Sequence, residues 1–261
     1  MSLHPTAIIA EGAVVPESAH IGPYCIIGEK VVLGENVRLA AHVTIDGNTE
    51  IGAGAQIHAF ASLGGPPQHL GYNGEDTKLI IGENAHIREQ VTMNTGTVEG
   101  NGVTRIGDNG FFMTGAHVGH DCTVGDNVVF ANNATLGGHV TIGNHVFLGG
   151  LCAIHQFCRV GDFAFIGGCA AVPTDVIPFG SAIGNHANLA GLNIIGMKRR
   201  GLKRPSIHQL RTAYKLLFEG AGEFMSRLDE VEEKYADNED VMRIVSFIRE
   251  DARRPIMQPG Q

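Results

Sequence analysis

The residues best suited to chemistry lie in one short stretch, GAHVGHDCTVG, at positions 115–125. His117 and His120 are three residues apart, and Asp121 directly follows the second histidine. Imidazole titrates near neutral pH, so a histidine beside a carboxylate can act as a general base with a fixed ring orientation. Histidine and aspartate are also common metal ligands. On the stretch alone, a base, a metal site and three surface residues without function all remain open.

The composition of the 261-residue chain argues against several classes of protein. It has 36 glycines and no tryptophan, which is atypical of a helical bundle and suggests many tight corners. The formal net charge of −8 disfavours general nucleic-acid binding. Because no run of about 18 apolar residues occurs, we expect no membrane-spanning helix. The N-terminal region lacks a basic segment followed by a long apolar run, so we expect no secretory signal and a cytoplasmic location.

A six-residue apolar repeat fills most of the chain. Large apolar residues recur at every sixth position from Ile9 to Leu63, from Ile81 to Met93 and from Ile106 to Val172. This period fits neither an α-helix nor a long alternating strand, but it fits short strands joined by corners. Three such strands make one coil of about 18 residues, and coils stack about 4.8 Å apart. The sequence therefore predicts an all-β solenoid over residues 1–189, a parallel β-helix with the shape of a triangular prism.

The cysteines follow the same repeat. Cys25, Cys122, Cys152 and Cys158 lie two residues before an inward position, where the core needs a small side chain, and Cys169 is one residue off. With an odd count and no CxxC pair, we expect reduced core residues rather than disulfides.

A second pattern begins near the C-terminus. From about Ser206 the apolar spacing becomes helical, and a small α-helical C-terminal domain is predicted for residues 190–261. We expect the final segment, PIMQPGQ, to be loose.

Two insertions interrupt the repeat, near residues 64–76 and 94–102. Both leave from the same corner of the predicted prism. Four histidines should form a ladder near this corner: His117, His120, His139 and His155. Because insertions in a solenoid commonly carry function on one face, this ladder is the candidate active site.

The sequence resembles the UDP-N-acetylglucosamine O-acyltransferase family of β-helical acyltransferases in five segments, which are HVGHDCTVG (117–125), ANNATLGGHVTIG (131–143), IHQFCRVG (154–161), GNHA (184–187) and NIIGMKRRG (193–201). The resemblance covers essentially the whole chain. It implies a left-handed β-helix, which spacing alone cannot give, and a homotrimer with active sites between prisms. The implied reaction moves a 3-hydroxyacyl group from acyl carrier protein to the 3-hydroxyl of UDP-N-acetylglucosamine, the first step of lipid A biosynthesis. No cofactor and no metal are expected.

The resemblance also implies roles for individual residues. His120 is the expected general base, Asp121 the carboxylate that orients it, and the amide of Gly138 the donor to the thioester oxyanion. A sugar hydroxyl needs such a base near pH 7, and a developing oxyanion needs an aimed amide. Gly168 and His186 are expected to set acyl-chain length, and the missing side chain at 168 predicts a long acyl chain. The expected substrate-binding residues are Gln68, His69, His117, His139, His155, Gln156, Asn193, Arg199 and Arg200.

The segment KRRGLKR, residues 198–204, concentrates positive charge in an acidic protein. Either it is a solvated approach to a helix or it docks the acidic carrier protein with its phosphopantetheine arm. The five candidate docking residues are Lys198, Arg199, Arg200, Lys203 and Arg204.

The first insertion departs from the family pattern Gln-Asp-x-Lys-Tyr. The sequence here reads Gln68, His69, Leu70, Gly71, Tyr72, so contacts to the sugar or to pantetheine are expected to differ. A UDP 3-amino sugar, giving an amide product, is therefore an alternative acceptor. The related N-acyltransferase of the same pathway, a zinc-dependent γ-type carbonic anhydrase and a purely structural solenoid are rival hypotheses for the whole chain.

Overall fold

The computed structural model describes residues 2–250 and 252–260. Its strands are mostly two residues long, because each side of the coil is only six residues. In chain order they are β1 Ser2–Leu3, β2 Ile8–Ile9, β3 His20–Ile21, β4 Ile26–Ile27, β5 Val32–Leu33, β6 Arg38–Leu39, β7 Thr44–Ile45, β8 Asn48–Ile51, β9 Gln56–Ile57, β10 Ser62–Gly65, β11 Lys78–Ile81, β12 His86–Ile87, β13 Thr92–Asn94, β14 Val103–Ile106, β15 Phe111–Phe112, β16 His117–Val118, β17 Thr123–Val124, β18 Val129–Phe130, β19 Thr135–Leu136, β20 Thr141–Ile142, β21 Phe147–Leu148, β22 Ala153–Ile154, β23 Arg159–Val160, β24 Phe165–Ile166, β25 Ala171–Val172, β26 Gly180–Ile183 and β27 Asn188–Leu192.

These strands form three sheets, which are the sides of the prism. Sheet 1 has the order β1-β3-β6-β9-β12-β15-β18-β21-β24-β26-β27. Sheet 2 has the order β2-β4-β7-β10-β13-β16-β19-β22-β25, and sheet 3 has the order β5-β8-β11-β14-β17-β20-β23. Pairing is parallel except between β26 and β27. Equivalent residues of successive coils therefore lie directly above one another, as His117, Thr135 and Ala153 do.

The core is the column of residues that the six-residue repeat predicts. Every one of the predicted inward residues is buried except Ile9 and Val15, which are half-buried in the first coil. Burial of each such side chain stabilises the fold by about 1.5–3 kcal/mol relative to exposure. Cys25, Cys122, Cys152 and Cys158 are buried free thiols in this core, as predicted, whereas Cys169 is exposed.

Both insertions leave from sheet 2 and enter sheet 3. The first insertion is residues 66–77, between β10 and β11, and the second is residues 95–102, between β13 and β14. Their common corner, between sheets 2 and 3, is the one predicted from the sequence.

In the described residues four helices follow the β-helix: α1 Ile194–Arg199, α2 Arg204–Glu219, α3 Phe224–Lys234 and α4 Glu239–Arg249. The last strand runs to Leu192, so the change to helix comes a few residues after the predicted boundary at 190. The apolar spacing did not indicate α1, because a six-residue helix has too few turns to show a period. None of the helices in the described ranges has the length and hydropathy needed to cross a membrane.

The C-terminal segment, residues 252–260, returns to the β-helix, so the prediction of a loose tail was wrong. Asp175 N donates to Pro255 O at 2.9 Å, and Met257 N donates to Asp175 O at 2.7 Å. Met257 is buried and Leu189 N donates to Gln258 O. Backbone pairing and the buried Met257 side chain thus hold this segment against the β-helix. Its sequence did not predict this, because it shows neither the six-residue nor the helical apolar period.

A buried ion pair joins the end of the prism to this helical region. The Asp175 carboxylate is fully buried and accepts hydrogen bonds from Arg159 N and Arg159 Nε, both at 2.7 Å. Burial raises the pKa of Asp175 above its ordinary value, although the bonds from Arg159 act in the opposite direction. Arg159 also pairs with Glu250 at 2.8 Å and lies over the Phe247 ring of α4.

Replacement of Arg159 tests this junction. We expect Arg159→Met to lower the free energy of unfolding by roughly 3–5 kcal/mol, because it leaves a buried carboxylate without its partner. The matched control is Arg243→Met, which removes an exposed partner of Asp162 and should cost less than about 1 kcal/mol. Urea unfolding measures both, and equal losses would contradict the importance of the buried pair.

Candidate active site

The candidate catalytic residues lie at the corner between sheets 2 and 3. His120 and Asp121 connect β16 to β17, and His139 and Phe157 occupy the position of Asp121 on the next two coils. Asp121, His139 and Phe157 all have left-handed backbone conformations, with φ of 58°, 61° and 66°. This conformation costs an ordinary residue about 1–2 kcal/mol, and the buried flanking strands hold it in place. The corner therefore presents one side chain per coil at a fixed place.

The Asp121 carboxylate is the most densely hydrogen-bonded group in this corner. Its side chain is fully buried, and His120 Nδ1 lies 2.8 Å from Oδ2. Thr97 N donates to both oxygens at 3.0 Å, Thr97 Oγ1 donates to Oδ2 at 2.7 Å, and Asn101 N donates to Oδ1 at 3.0 Å. Burial acts to raise the pKa of Asp121, but the hydrogen bonds from His120, Thr97 and Asn101 together lower it below its ordinary value. Asp121 is therefore ionised at neutral pH.

The second insertion wraps around the Asp121 carboxylate, and its hydrogen bonds to that group determine the conformation of its backbone. A Cβ atom at Gly100 would lie 2.4 Å from Asp121 Cγ, and one at Gly96 would lie 2.9 Å from Oδ1. Glycine is thus required at both positions for the loop backbone to approach so closely. Thr97 and Asn101 were not identified from the sequence, although the insertion that carries them was.

The hydrogen bond to Asp121 determines what His120 can do. A carboxylate accepts only, so Nδ1 carries the proton and Nε2 of the neutral ring is left with a free lone pair. The side chain of His120 is 13% exposed and lines a cleft of about 660 Å³. The cleft is lined by His69, Glu99, Gly100, Asn101, His120, His139, Thr141, Gln156, Phe157, Arg159, Ala252 and Arg253. This is the arrangement of a general base with a fixed tautomer.

Gly138 lies directly beside the His120 ring. A Cβ atom there would come within 2.5 Å of His120 Cε1 and 2.6 Å of Nε2, so only glycine fits. Within the described ranges the Gly138 N–H has no hydrogen-bond acceptor. An unpaired amide on the residue that contacts the His120 ring is suited to bind an oxyanion that forms there.

His139 contacts His120 one coil along the prism. Their ring centroids are 5.0 Å apart with an interplanar angle of 88°, and His139 stacks on Phe157 at 4.6 Å. Its Nε2 atom lies 3.9 Å from Asp121 Oδ2. Burial, above all other causes, lowers the pKa of His139, so this ring is neutral near pH 7.

The two outer members of the histidine ladder do not line the cleft. His117 Nδ1 is hydrogen-bonded to Thr92 Oγ1 at 2.8 Å, and burial together with the nearby His120 lowers the pKa of His117. His155 accepts at Nδ1 from Arg254 Nη2 at 2.8 Å, while the adjacent Gln156 does line the cleft. Of the four histidines of the predicted ladder, the cleft therefore contains His120 and His139 but neither His117 nor His155.

The first insertion brings a third histidine next to His120. The His69 ring lies 5.4 Å from the His120 ring, and His69 Nε2 lies 3.9 Å from Glu99 Oε2 of the second insertion. A Cβ atom at Gly71 would come within 3.0 Å of the His69 ring. The two departures from the family pattern are thus coupled, since the missing side chain at 71 leaves room for the histidine at 69. Gln68 is exposed next to them.

Several predicted site residues lie elsewhere in the chain. Asn193, Arg199 and Arg200 line a second cavity of about 450 Å³, between α1 and sheet 1, whose other walls are mainly Phe147, Phe163, Phe165, Ile183 and Ile195. Asn193 also begins α1, with Oδ1 accepting from Gly196 N at 2.9 Å. Lys198, Lys203 and Arg204 are exposed nearby. This cavity and the His120 cleft share no residue.

Gly168 and His186 lie at another corner of the prism. Gly168 is exposed between β24 of sheet 1 and β25 of sheet 2, and His186 is bridged to Ala171 of β25. The predicted site residues of one chain are therefore spread over three places around the prism.

His120, Asp121 and His139 also have the composition of a metal site. Their candidate ligand atoms all lie within 4.8 Å of one another. However, the oxygens of Asp121 already accept several hydrogen bonds, which compete with a metal for their lone pairs. The geometry favours a histidine base over a zinc lyase, and metal analysis of the purified protein distinguishes the two.

The fold and this site define a hexapeptide-repeat transferase. A family model described as bacterial transferase hexapeptide (six repeats) matches residues 12–47 and 103–138. A second model, described as UDP N-acetylglucosamine O-acyltransferase, domain 2, matches residues 175–257. The β-helix is left-handed, as its similarity to solved members of this class shows.

Full-length relatives narrow the class to one family. An acyl-[acyl-carrier-protein]–UDP-N-acetylglucosamine O-acyltransferase from Caulobacter vibrioides is 58% identical over 259 residues, covering 99% of this chain and 98% of its own. The same enzyme from Rickettsia bellii is 50% identical, covering 97% and 90%. The crystal structure of UDP-N-acetylglucosamine O-acyltransferase from Moraxella catarrhalis matches with a TM-score of 0.96 at 41% identity, covering 99% and 100%. The chain belongs to the acyl-[acyl-carrier-protein]–UDP-N-acetylglucosamine O-acyltransferase family, which confirms the resemblance and the enzyme class.

Replacement of Gly138 tests its close contact with the His120 ring. We expect Gly138→Ala to lower kcat by roughly 10²-fold or more, because the methyl group displaces the base and any bound oxyanion. Gly65→Ala is the control, since a Cβ there meets only Asn94 Nδ2 at 3.8 Å. Steady-state kinetics measures both variants. An unchanged kcat in Gly138→Ala would show that the base tolerates displacement.

Proposed function

We propose that the protein transfers a 3-hydroxyacyl group from acyl carrier protein to the 3-hydroxyl of UDP-N-acetylglucosamine, the first step of lipid A biosynthesis, in the cytoplasm. One observation carries the catalytic part of this proposal. The buried Asp121 carboxylate holds His120 in a cleft, and the unpaired amide of Gly138 lies beside the same ring. The reaction needs no cofactor, since the acyl group arrives as a thioester on the phosphopantetheine of the carrier.

The proposed mechanism uses His120 first as a base and then as an acid. Nε2 of His120 takes the proton of the sugar hydroxyl while the hydroxyl oxygen bonds to the carbonyl carbon of the thioester. The carbonyl oxygen becomes an oxyanion, which accepts a hydrogen bond from Gly138 N–H. The carbon–sulfur bond then breaks, and the imidazolium gives its proton to the leaving thiolate, so that ester and free thiol are released.

The surrounding groups explain why this sequence is favourable. The ionised Asp121 stabilises the imidazolium through its hydrogen bond to Nδ1. Asp121 does not itself take the proton from the sugar hydroxyl, because it lies on the Nδ1 side of the ring and the hydroxyl binds on the Nε2 side. An aimed amide donor contributes about 3 kcal/mol to stabilising an oxyanion in a site of this kind. None of the buried cysteines is placed to act as a nucleophile; burial raises the pKa of Cys122 to about 12.

Replacement of His120 tests the base directly. We expect His120→Ala to lower kcat by roughly 10²–10⁴-fold, the usual contribution of a general base, with an unchanged melting temperature. His58→Ala is the matched control, because His58 pairs with Glu89 outside the cleft and should keep its activity. Acyl transfer is measured with labelled sugar nucleotide. Substantial activity in His120→Ala would refute the base assignment.

We further propose a homotrimer in which two chains share each active site. The support is the separation of the predicted substrate-binding residues within one chain. His120 lies at the corner between sheets 2 and 3, whereas Asn193 and Arg200 line the cavity between α1 and sheet 1. A nucleotide sugar that uses both sets needs the cavity of one copy to face the cleft of the next.

Complementation between two inactive variants tests the shared site. His120→Ala and Arg200→Ala, co-expressed, should form mixed trimers in which an intact His120 of one copy meets an intact Arg200 of another. We therefore expect activity to return in the mixture, although each variant alone is inactive. Separately purified variants mixed without exchange are the control. If co-expression restores no activity, each site is built from one chain.

The carrier protein is proposed to dock on the cations near α1 and α2. All five side chains of this cluster are exposed, and in the described part of the chain none forms an ion pair: Lys198, Arg199, Arg200, Lys203 and Arg204. Exposed unpaired cations attract an acidic partner over a distance and raise its association rate. Arg199 and Arg200 also line the second cavity, which would place the carrier next to the nucleotide.

Gly168 is proposed to leave space for the far end of the acyl chain. A Cβ atom there would meet only Gly150, at 3.3 Å or more, so an added side chain would project from the prism. We expect the wild-type protein to prefer long acyl donors and Gly168→Met to prefer shorter ones, because the new side chain shortens the space. Mass spectrometry of products from a panel of acyl carrier proteins measures this. A wild-type preference for short chains would refute the role of Gly168.

A UDP 3-amino sugar is the second candidate acceptor, and the first insertion favours it. Where the family pattern has a lysine, Gly71 supplies no cation, and Glu99 lies 3.9 Å from His69. His69 stands where the pattern has its aspartate, so one acid and one cation are lost together and the net charge of this wall is unchanged. The carboxylate of Glu99 is the group here that suits an amino acceptor. His120 can serve either nucleophile, and the product panel with both UDP sugars separates ester from amide by mass.

A further inference from the structure

We infer that Arg253, in the returning C-terminal segment, binds a phosphate group of a substrate in the His120 cleft. The inference rests on the proposed function, in which both substrates carry phosphate. If Arg253 binds substrate, the site at His120 also includes a residue from the C-terminal end of the chain.

The C-terminal segment is held firmly enough to place a side chain. Its backbone pairs with Asp175 on both sides of Ile256, and Met257 is 2% exposed. Arg254 adds two contacts to the β-helix: Nε donates to Gln156 O at 3.1 Å, and Nη2 donates to the neighbouring His155 Nδ1 at 2.8 Å. The Arg253 side chain therefore extends from a backbone that is held against the prism.

Arg253 continues the ring stack that leads from the catalytic base. Its guanidinium centre lies 4.6 Å from the centroid of the Phe157 ring, which stacks on His139, which in turn contacts His120. Arg253 lines the cleft directly. A guanidinium over an aromatic face keeps its N–H edge free to donate.

Among the described residues Arg253 has no ion-pair partner, in contrast to Arg159, Arg243 and Arg249. Arg159 pairs with Asp175 and Glu250, Arg243 with Asp162, and Arg249 with Asp229 and Glu232. No carboxylate of residues 2–250 or 252–260 pairs with Arg253. The other ionisable groups that line the cleft are Glu99, the three histidines His69, His120 and His139, and the already paired Arg159.

A guanidinium that lines a cleft and has no carboxylate partner in residues 2–250 or 252–260 matches phosphate in charge and geometry, since two N–H groups can donate to two oxygens. Two phosphate groups qualify: the diphosphate of the UDP sugar and the phosphodiester of the carrier's phosphopantetheine. Kinetics with each substrate varied in turn distinguishes them.

The test compares Arg253→Met and Arg253→Lys with the wild-type protein. We expect Arg253→Met to raise KM roughly 10-fold for one substrate with a smaller change in kcat, because a charge-assisted hydrogen bond is lost. Arg253→Lys keeps the charge and should recover part of the loss. The matched control is Lys234→Met, which removes a cation that lies over Tyr235 in the helical region. Binding of UDP alone, by calorimetry, gives an independent reading.

Each outcome has a defined meaning. A higher KM for the UDP sugar with weaker UDP binding assigns the diphosphate, and a higher KM for the acylated carrier assigns the phosphodiester. If both KM values of Arg253→Met stay within about twofold of wild type, the inference is wrong. A wild-type protein that transfers no acyl group would instead refute the proposed function.

Discussion

The hydrogen bonding of one buried carboxylate organises the rest of the site. Asp121 lies in the repeat, yet it accepts from the second insertion and from His120 at the same time. Removing a carboxylate from water is costly unless its lone pairs are satisfied. Because those bonds are made, Asp121 stays ionised, the insertion takes a single shape, and His120 keeps its proton on Nδ1.

The β-helix supplies the precision that this chemistry needs. Parallel register brings equivalent residues of successive coils above one another, so the corner that carries Asp121 also carries His139 and Phe157. The same stacking leaves the amide of Gly138 beside the His120 ring. Side chains on such a scaffold are held by packed strands on both sides, whereas the two insertions add the parts that a strict repeat cannot offer.

The sequence predicts the prism well because every inward position repeats at a fixed interval and is apolar. It predicts His120 and Asp121 because the repeat itself has no need of them. It did not predict Thr97 and Asn101, whose partner is distant in sequence and whose loop has no period. It misplaced the C-terminal segment for a similar reason, since backbone pairing with Asp175 leaves no signal in side-chain types. The cleft that contains Arg253 depends on that pairing, so only the structure reveals it.

The most direct test of the central claim is the tautomer of His120, read by ¹⁵N NMR of the histidine-labelled protein with the His120 signal assigned by His120→Gln. The hydrogen bond to Asp121 predicts that the neutral ring carries its proton on Nδ1, leaving Nε2 free to take the proton of the acceptor. Asp121→Asn should abolish this preference. A neutral His120 protonated on Nε2 in the wild-type protein would contradict the account.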